Sequence, residues 1–227
     1  MEAPPPMSAN ELLAASVDTV ADYGAVATEY AAGNANHDVT QNVDALLSRL
    51  ADRGSSLDLL DLCCAGGRDL ITFTKAGHSA VGLDGSAEFC AIARQAAPTC
   101  EVWHQDLQQL DLPGLRFDGI FANACLFHIP SASLPTALAA LHKTLKTGGV
   151  LFVSNAHGFG KDREGWTQGR TDCTRSYVCW LSEATWVRHC EAAGFELLDK
   201  YYRPPGRPQE QQPFLATVWR KVSQEDS

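Results

Sequence analysis

From Leu57 onward, short apolar runs alternate with helix-like segments, in the order LDLLDLCC, RDLITFTKAG, AVGLD, SAEFCAIARQAA and EVWHQ. Parallel strands need long return connections, and segments of this kind supply them as helices, so the alternation predicts a parallel sheet with crossover helices. The rhythm continues through FDGIFANA, the helix-like LPTALAALHKTLK and GGVLFVSN, whose paired glycines mark a turn before a buried strand. A helix over SEATWVRHCEAAG follows, opened by Ser182 and closed by Gly194. FELLDKYYR and PFLATVWRK then read as two more strands. Their Pro-rich connection can close an antiparallel pair but holds no crossover helix, so the sheet is expected to end in a hairpin. The fold class is α/β.

The rest of the chain is arranged around this sheet. Residues from about Asn10 to Tyr30 and from about Thr40 to Leu50 space apolar side chains at helical intervals, with AAGNANHD as the break between them. Two helices forming a cap over 11–50 are expected. Residues 1–10, polar and rich in proline, read as a loose tail, and 11–227 as a single domain. Segment 156–181, polar with several glycines and charges, has the length of a functional loop and reads as a lid.

Composition removes several classes of function. The 27 acidic residues against 18 basic ones give a formal charge of -9, which repels phosphates, so nucleic acid is not an expected partner. A membrane partner is not expected either, because no apolar run approaches the roughly 20 residues a spanning helix needs. The opening MEAPPPMSAN lacks the basic start and apolar stretch of a signal peptide, and a cytoplasmic location is expected. The eight cysteines include no C-x-x-C pair and follow no disulfide framework, so reduced thiols are expected. Cys125 and His128 form one tight ligand-like pair without a second, so no metal site is expected.

The chemistry concentrates in LLDLCCAGGRDL. A strand that ends in an acid and runs through small residues into a helix exposes backbone amides at the edge where open α/β sheets bind ligands. Asp84 ends the next apolar run, where a carboxylate can accept from ribose hydroxyls, and Asp106 follows the third. Three acid-tipped strand ends suit a ligand with an amine-bearing end, a ribose and an adenine. They suit a pyrophosphate poorly, since Asp61 and Asp69 flank the turn that would hold it.

Here the sequence resembles the class I methyltransferases that use S-adenosylmethionine. Their first motif, roughly D-x-G-x-G-x-G, stands as Asp61-Leu62-Cys63-Cys64-Ala65-Gly66-Gly67. The likeness extends through VGLDGS, QDL, FDGIFANACLFHIP, LKTGGVLFVS and EAAGFELL, the last three matching the small-molecule branch. It implies a Rossmann-like, doubly wound, seven-stranded sheet, mostly parallel with an antiparallel final hairpin. S-adenosyl-L-methionine is the implied cofactor and S-adenosyl-L-homocysteine its product.

By this resemblance, Asp61 and the backbone at Cys63, Ala65, Gly66 and Gly67 hold the methionine part. Asp84, Gly85 and Ser86 take the ribose, Asp106 and Leu107 flank the adenine, and Asn123 and Ala124 lie near the reacting carbon. Tyr23, Tyr30, His37 and Gln41 resemble the cap that closes over the cofactor, with Tyr30 named as a contact. Cys63 and Ala65 replace the first two motif glycines and add side chains where the methionine end belongs.

The expected reaction is in-line methyl transfer to a small molecule by a monomer or homodimer. His128 is placed to orient the acceptor or take its proton, with Asn123 beside it. Acceptor contacts are expected from His128, Asn155, His157, Trp166, Arg170, Arg175, Tyr177 and Arg203. Two other readings stand beside this one: a regulatory protein that binds the cofactor without turnover, and a methyltransferase for a protein or RNA acceptor.

Overall fold

The computed structural model describes residues 7–222, so residues 1–6 of the expected tail lie outside the described part. The remainder of that tail is not loose. Ser8 caps helix α1 (Ala9–Gly24) in a reciprocal box: its Oγ accepts from Glu11 N–H at 3.3 Å, and the Glu11 carboxylate accepts from Ser8 N–H at 2.7 Å. Helices α2 (Ala27–Asn34) and α3 (Thr40–Leu47) follow, with a 3-10 turn at Ser48–Arg53. The cap therefore holds three helices rather than two. The chain turns between Gly24 and Ala27, which brings the Tyr23 and Tyr30 rings edge to face at 5.5 Å.

The sheet is built from β1 (Asp58–Leu62), β2 (Ser79–Asp84), β3 (Glu101–His104), β4 (Phe117–Asn123) and β5 (Leu145–Ala156), all parallel. Between them run α4 (Arg68–Lys75), α5 (Ala87–Ala96) and α6 (Leu134–Thr144). After β6 (Arg163–Gln168), β7 (Arg175–Trp180) and α7 (Glu183–Ala192), the pair β8 (Phe195–Arg203) and β9 (Phe214–Lys221) completes it. The spatial order is β3-β2-β1-β4-β5-β9-β8, with β9 antiparallel to both its neighbours, so the expected seven-stranded sheet and final hairpin are both present.

Alternation along each central strand sends neighbours to opposite faces. Leu60, Ile120 and Leu151 pack on one side with α6 and α7, whereas Leu59, Phe121 and Phe152 pack on the other with α3 and α4. Phe121 stacks on Phe152 at 5.0 Å and meets Phe73 edge-on at 5.5 Å. Each such fully buried side chain contributes about 1.5–3 kcal/mol.

Strand order reverses between β1 and β4, which opens a crevice beyond their carboxyl ends. The cap covers it. Segment 156–181, expected as a loop, contains β6 and β7, a separate antiparallel pair lying on α1. Its strands pair only with each other, and β7 carries the apolar run Tyr177-Val178-Cys179-Trp180, a strand signal inside the otherwise polar segment. Among the described residues no helix is long and apolar enough to cross a membrane.

Candidate active site

The turn after β1 takes its shape from left-handed backbone at three alternate positions, Cys63 (φ 61°), Ala65 (φ 42°) and Gly67 (φ 81°). Only glycine adopts these angles without strain, so Cys63 and Ala65 hold them at a cost of about 1 kcal/mol or more each. Gly66 lies against α2: a Cβ there would sit 2.7 Å from the Ala31 Cβ. Cys63 lines the crevice without closing it. Its thiol is pushed well up, first by a hydrogen bond with Cys125 and then by burial, and stays protonated.

Asp84 braces this turn. Its Oδ2 accepts from Ala65 N–H at 3.0 Å and its Oδ1 from Ser86 N–H at 2.9 Å. Burial raises its pKa, and those backbone donors oppose the rise. Each carboxylate oxygen keeps a free lone pair toward the crevice, which fits a ribose with two vicinal hydroxyls. Ser86 lines the crevice and also caps α5, accepting from Phe89 N–H at 3.2 Å. The Gly85 carbonyl is held by His104 Nε2 at 2.9 Å.

Asp61, expected to hold the methionine part, does not reach the crevice wall. Its carboxylate is buried behind the turn, Oδ2 has no hydrogen-bond partner, and desolvation with the nearby Asp69 charge lifts its pKa well above the usual range. The acid on the wall is instead Asp69, gripped by Arg68 through Nε (2.8 Å) and Nη2 (2.7 Å).

Asp106 lies past the end of β3 and accepts from Gln108 N–H at 2.8 Å, beside Leu107 on the wall. Gln108 was not singled out from the sequence. Its amide donates to the Leu12 carbonyl at 2.9 Å and accepts from Ser133 Oγ at 2.7 Å, pinning the cap to the sheet. Asn123 and Ala124 (φ 62°) close the floor at the end of β4. Asn123 Oδ1 accepts from Asn42 Nδ2 at 2.9 Å, and Asn42 Oδ1 accepts from Tyr201 Oη at 2.9 Å. Asn42 carried a signal that went unread: it is the polar member of the buried stripe Val39, Asn42, Val43, Leu46 on α3.

The acceptor set divides. His128 and Arg203 line the crevice with Tyr23 and Tyr30. His128 Nε2 faces Tyr23 Oη and Nδ1 faces the Tyr177 carbonyl, both at 2.8 Å, while burial lowers its pKa to about 4. The others lie elsewhere. Asn155 and His157 border a separate void too small for a ligand, where His157 is fixed by the Gln212 carbonyl (2.7 Å) and Phe159 N–H (3.1 Å).

Arg175 pairs with Asp18 of α1 at 2.6 Å and lies 3.7 Å from the centroid of the exposed Trp166 ring. Tyr177 donates to Met7 Sδ at 3.2 Å. Arg170 packs onto Tyr23 but is committed to Asp22 at 2.7 Å. These residues were grouped because they share one segment. Strand alternation and the cap helix direct them away from the crevice.

The crevice has a volume of about 1180 Å³. A drug-sized ligand occupies pockets of roughly 300–1,000 Å³, so two small molecules fit side by side. A doubly wound sheet of this strand order, with acid-tipped strands around a left-handed turn, defines the class I methyltransferase fold, whose cofactor is S-adenosylmethionine. A family model described as a methyltransferase domain matches residues 35–200, and the chain belongs to that family.

Among curated relatives it is similar to an uncharacterized methyltransferase of Synechocystis sp., 27% identical over 99 residues, which cover 44% of this chain and 47% of that protein. It is also similar to a trans-aconitate 2-methyltransferase of Azoarcus sp., 36% identical over 97 residues, covering 42% of this chain and 37% of that protein. The matches thus span less than half the length of either relative. A solved 1,6-didemethyltoxoflavin-N1-methyltransferase of Burkholderia thailandensis, with its namesake compound and S-adenosylhomocysteine bound, superposes with a TM-score of 0.72. It is 22% identical, covering 97% of this chain and 94% of that one. At that identity the likeness speaks for the fold.

Proposed function

We propose that the protein transfers a methyl group from S-adenosylmethionine to a small-molecule acceptor by in-line displacement. The observation that carries this is one crevice under the cap, lined by two unlike sets of residues. Its wall joins the left-handed turn, Asp84, Asp106 and Leu107 to Tyr23, His128, Arg203 and Phe214. When bound, the cofactor supplies a methyl carbon activated by a sulfonium. This chain's contribution is alignment and exclusion of water, which provide much of the rate of such a transfer.

Asp84 would accept from the ribose hydroxyls, Asp106 and Leu107 would flank the adenine, and the backbone from Cys63 to Gly67 would follow the methionine part. Asn123, held by Asn42, would set the floor beneath the reacting carbon, and α1 with the β6–β7 hairpin would act as the lid. The named acceptors of the two characterised relatives, an organic acid and a heterocycle, are both small.

Calorimetry with S-adenosylhomocysteine should give saturable binding. An assay for its formation from S-adenosylmethionine should respond to members of an acceptor panel containing trans-aconitate and 1,6-didemethyltoxoflavin. Absence of heat with both cofactor forms overturns the proposal. A second reading, binding without turnover, draws on the side chains of Cys63 and Ala65 in the turn; it predicts heat of binding with no product from any acceptor.

A further inference from the structure

We propose that Tyr23 is the residue that meets the acceptor's proton, with His128 behind it as the proton's destination, so that the acceptor is methylated at an N–H or O–H group. The inference rests on the methyl-transfer reading above and adds the acceptor's chemical class. His128 alone cannot do this work in the observed arrangement. Its Nδ1 faces the Tyr177 carbonyl at 2.8 Å, and a carbonyl only accepts, so Nδ1 carries the ring proton. The lone pair is therefore on Nε2, where Tyr23 Oη already donates to it at 2.8 Å. No basic nitrogen is left for a bound molecule. Tyr23 Oη, on the wall of the same crevice, still has lone-pair capacity to accept a hydrogen bond.

Burial disfavours the charged form of both Tyr23 and His128, and two neighbouring charges partly offset it. The Arg170 guanidinium lies 3.4 Å from the centroid of the Tyr23 ring and favours negative charge on that side chain. Arg170 is held there by Asp22, which is fully buried and also accepts from Thr174 and Ser176 hydroxyls at 2.5 Å each. At His128, burial and the Arg170 charge oppose protonation, while the Tyr177 carbonyl and the Asp22 charge favour it, so the imidazolium is short-lived. Tyr23, His128, Arg170 and Asp22 come from α1, the turn after β4 and the β6–β7 hairpin, so they assemble only when the cap is closed on the sheet.

As the acceptor nitrogen or oxygen forms its bond to the methyl carbon, the S–CH3 bond breaks with its electron pair left on sulfur. The acceptor's proton passes to Tyr23 Oη while Tyr23's own proton passes to His128 Nε2. Tyr23 ends unchanged. His128 ends as an imidazolium, which discharges to water when the product leaves.

The test compares wild type with Tyr23→Phe, His128→Gln and the double variant, each as the full chain. Nitrogen NMR of His128 in the protein bound to S-adenosylhomocysteine should show Nδ1 protonated and Nε2 hydrogen-bonded, with the Nε2 resonance moving in Tyr23→Phe. An Nε2-protonated ring overturns the proposal. Turnover is measured on phenols and N–H heteroaromatics, 1,6-didemethyltoxoflavin among them, and on trans-aconitate, whose carboxylates carry no proton at neutral pH.

On N–H or O–H acceptors, each single variant should lose roughly 10²–10⁴-fold in kcat. The double variant should lose no more than the worse single one, as expected of groups acting as a unit. Calorimetry should show affinity for S-adenosylhomocysteine within about threefold of wild type throughout, below the ~1.4 kcal/mol of a tenfold change. The proposal fails if Tyr23→Phe keeps its kcat on N–H and O–H acceptors, if it slows trans-aconitate equally, or if wild type methylates carboxylates alone. Wild type that binds S-adenosylhomocysteine but methylates nothing overturns the underlying methyl-transfer reading, a result separable from failure of the relay because the variants play no part in it.

Discussion

The two sets of residues that line the crevice are built differently. On the donor side, the turn after β1 is braced by Asp84, 19 residues from Ala65, and Asp84 and Asp106 each accept from a backbone N–H two residues away. On the acceptor side, the contacts join Tyr23 to His128 across 105 residues, Arg170 to Asp22 across 148 and Asn42 to Asn123 across 81. The donor side is a product of strand ends and turns that would form on almost any sheet of this order. The cap reaches both sets, with Ala31 of α2 on Gly66 and Val20 of α1 on Gly85, but the proposed acceptor contacts are the ones that span the longer stretches of sequence.

If that division is right, breaking the cap should be the more damaging intervention. Asp22→Ala removes the buried anion that holds Arg170, Thr174 and Ser176. Loss of one partner from a buried pair costs about 3–5 kcal/mol, to be read by denaturant titration. Hydrogen exchange should quicken in α1 and β6–β7 together and leave β1 and β2 protected; uniform loosening would contradict the division.

Acid should act on the same side. The folded pKa of His128 is about 4 against an ordinary 6.5, so below pH 6.5 the unfolded chain takes up a proton that the folded one refuses. Stability should fall by about 3 kcal/mol as pH drops from the ordinary value toward the folded one, at ~1.4 kcal/mol per unit. In His128→Gln that slope should be shallower by the same amount, measured by thermal unfolding over the pH series.

The donor side should show a binding effect, with a smaller loss of stability because an asparagine can accept from only one of the Ala65 and Ser86 N–H groups. Asp84→Asn exchanges charge-assisted hydrogen bonds for neutral ones, about 1.5–3 kcal/mol, or roughly 10–100-fold in the Kd for S-adenosylhomocysteine by calorimetry. The acceptor-side hydrogen bond of Tyr23 to His128 should persist in it. The smallest effect is expected at the turn itself. Ala65→Gly relieves left-handed strain and should raise stability by about 1 kcal/mol or less, since glycine's greater freedom in the unfolded chain offsets part of the gain.

Legibility followed the same line. The acids at Asp61, Asp84 and Asp106, the motif around Gly66 and Gly67, and the floor at Asn123 and Ala124 belong to contiguous words in the sequence. Of these only Asp61 was misplaced, because a strand's alternation decides which side of the turn a side chain takes, and here it faces inward. On the acceptor side, His128 and Arg203 were named and do line the crevice. Trp166, Arg175 and Tyr177 were grouped by proximity along the chain and do share one face of the hairpin, but that face is engaged with Met7 and Asp18 rather than with the crevice. Asn155 and His157 sit at the end of β5, beyond the crevice wall. Asp22 and Gln108 look like ordinary polar residues until their partners arrive from distant segments.

The amino-acid sequence by itself determined the α/β class, the closing hairpin and the carboxylates Asp84 and Asp106 at the strand ends, since periodicity and turn chemistry act over a few residues at a time. The count of seven strands came with the family resemblance. Tertiary structure alone decided that α1 and a β6–β7 hairpin form the roof, that Tyr23 covers the basic nitrogen of His128, and that a buried Asp22 anchors Arg170. Those contacts depend on burial and on charges meeting across a hundred residues or more, and no local pattern encodes the geometry of two surfaces before they pack.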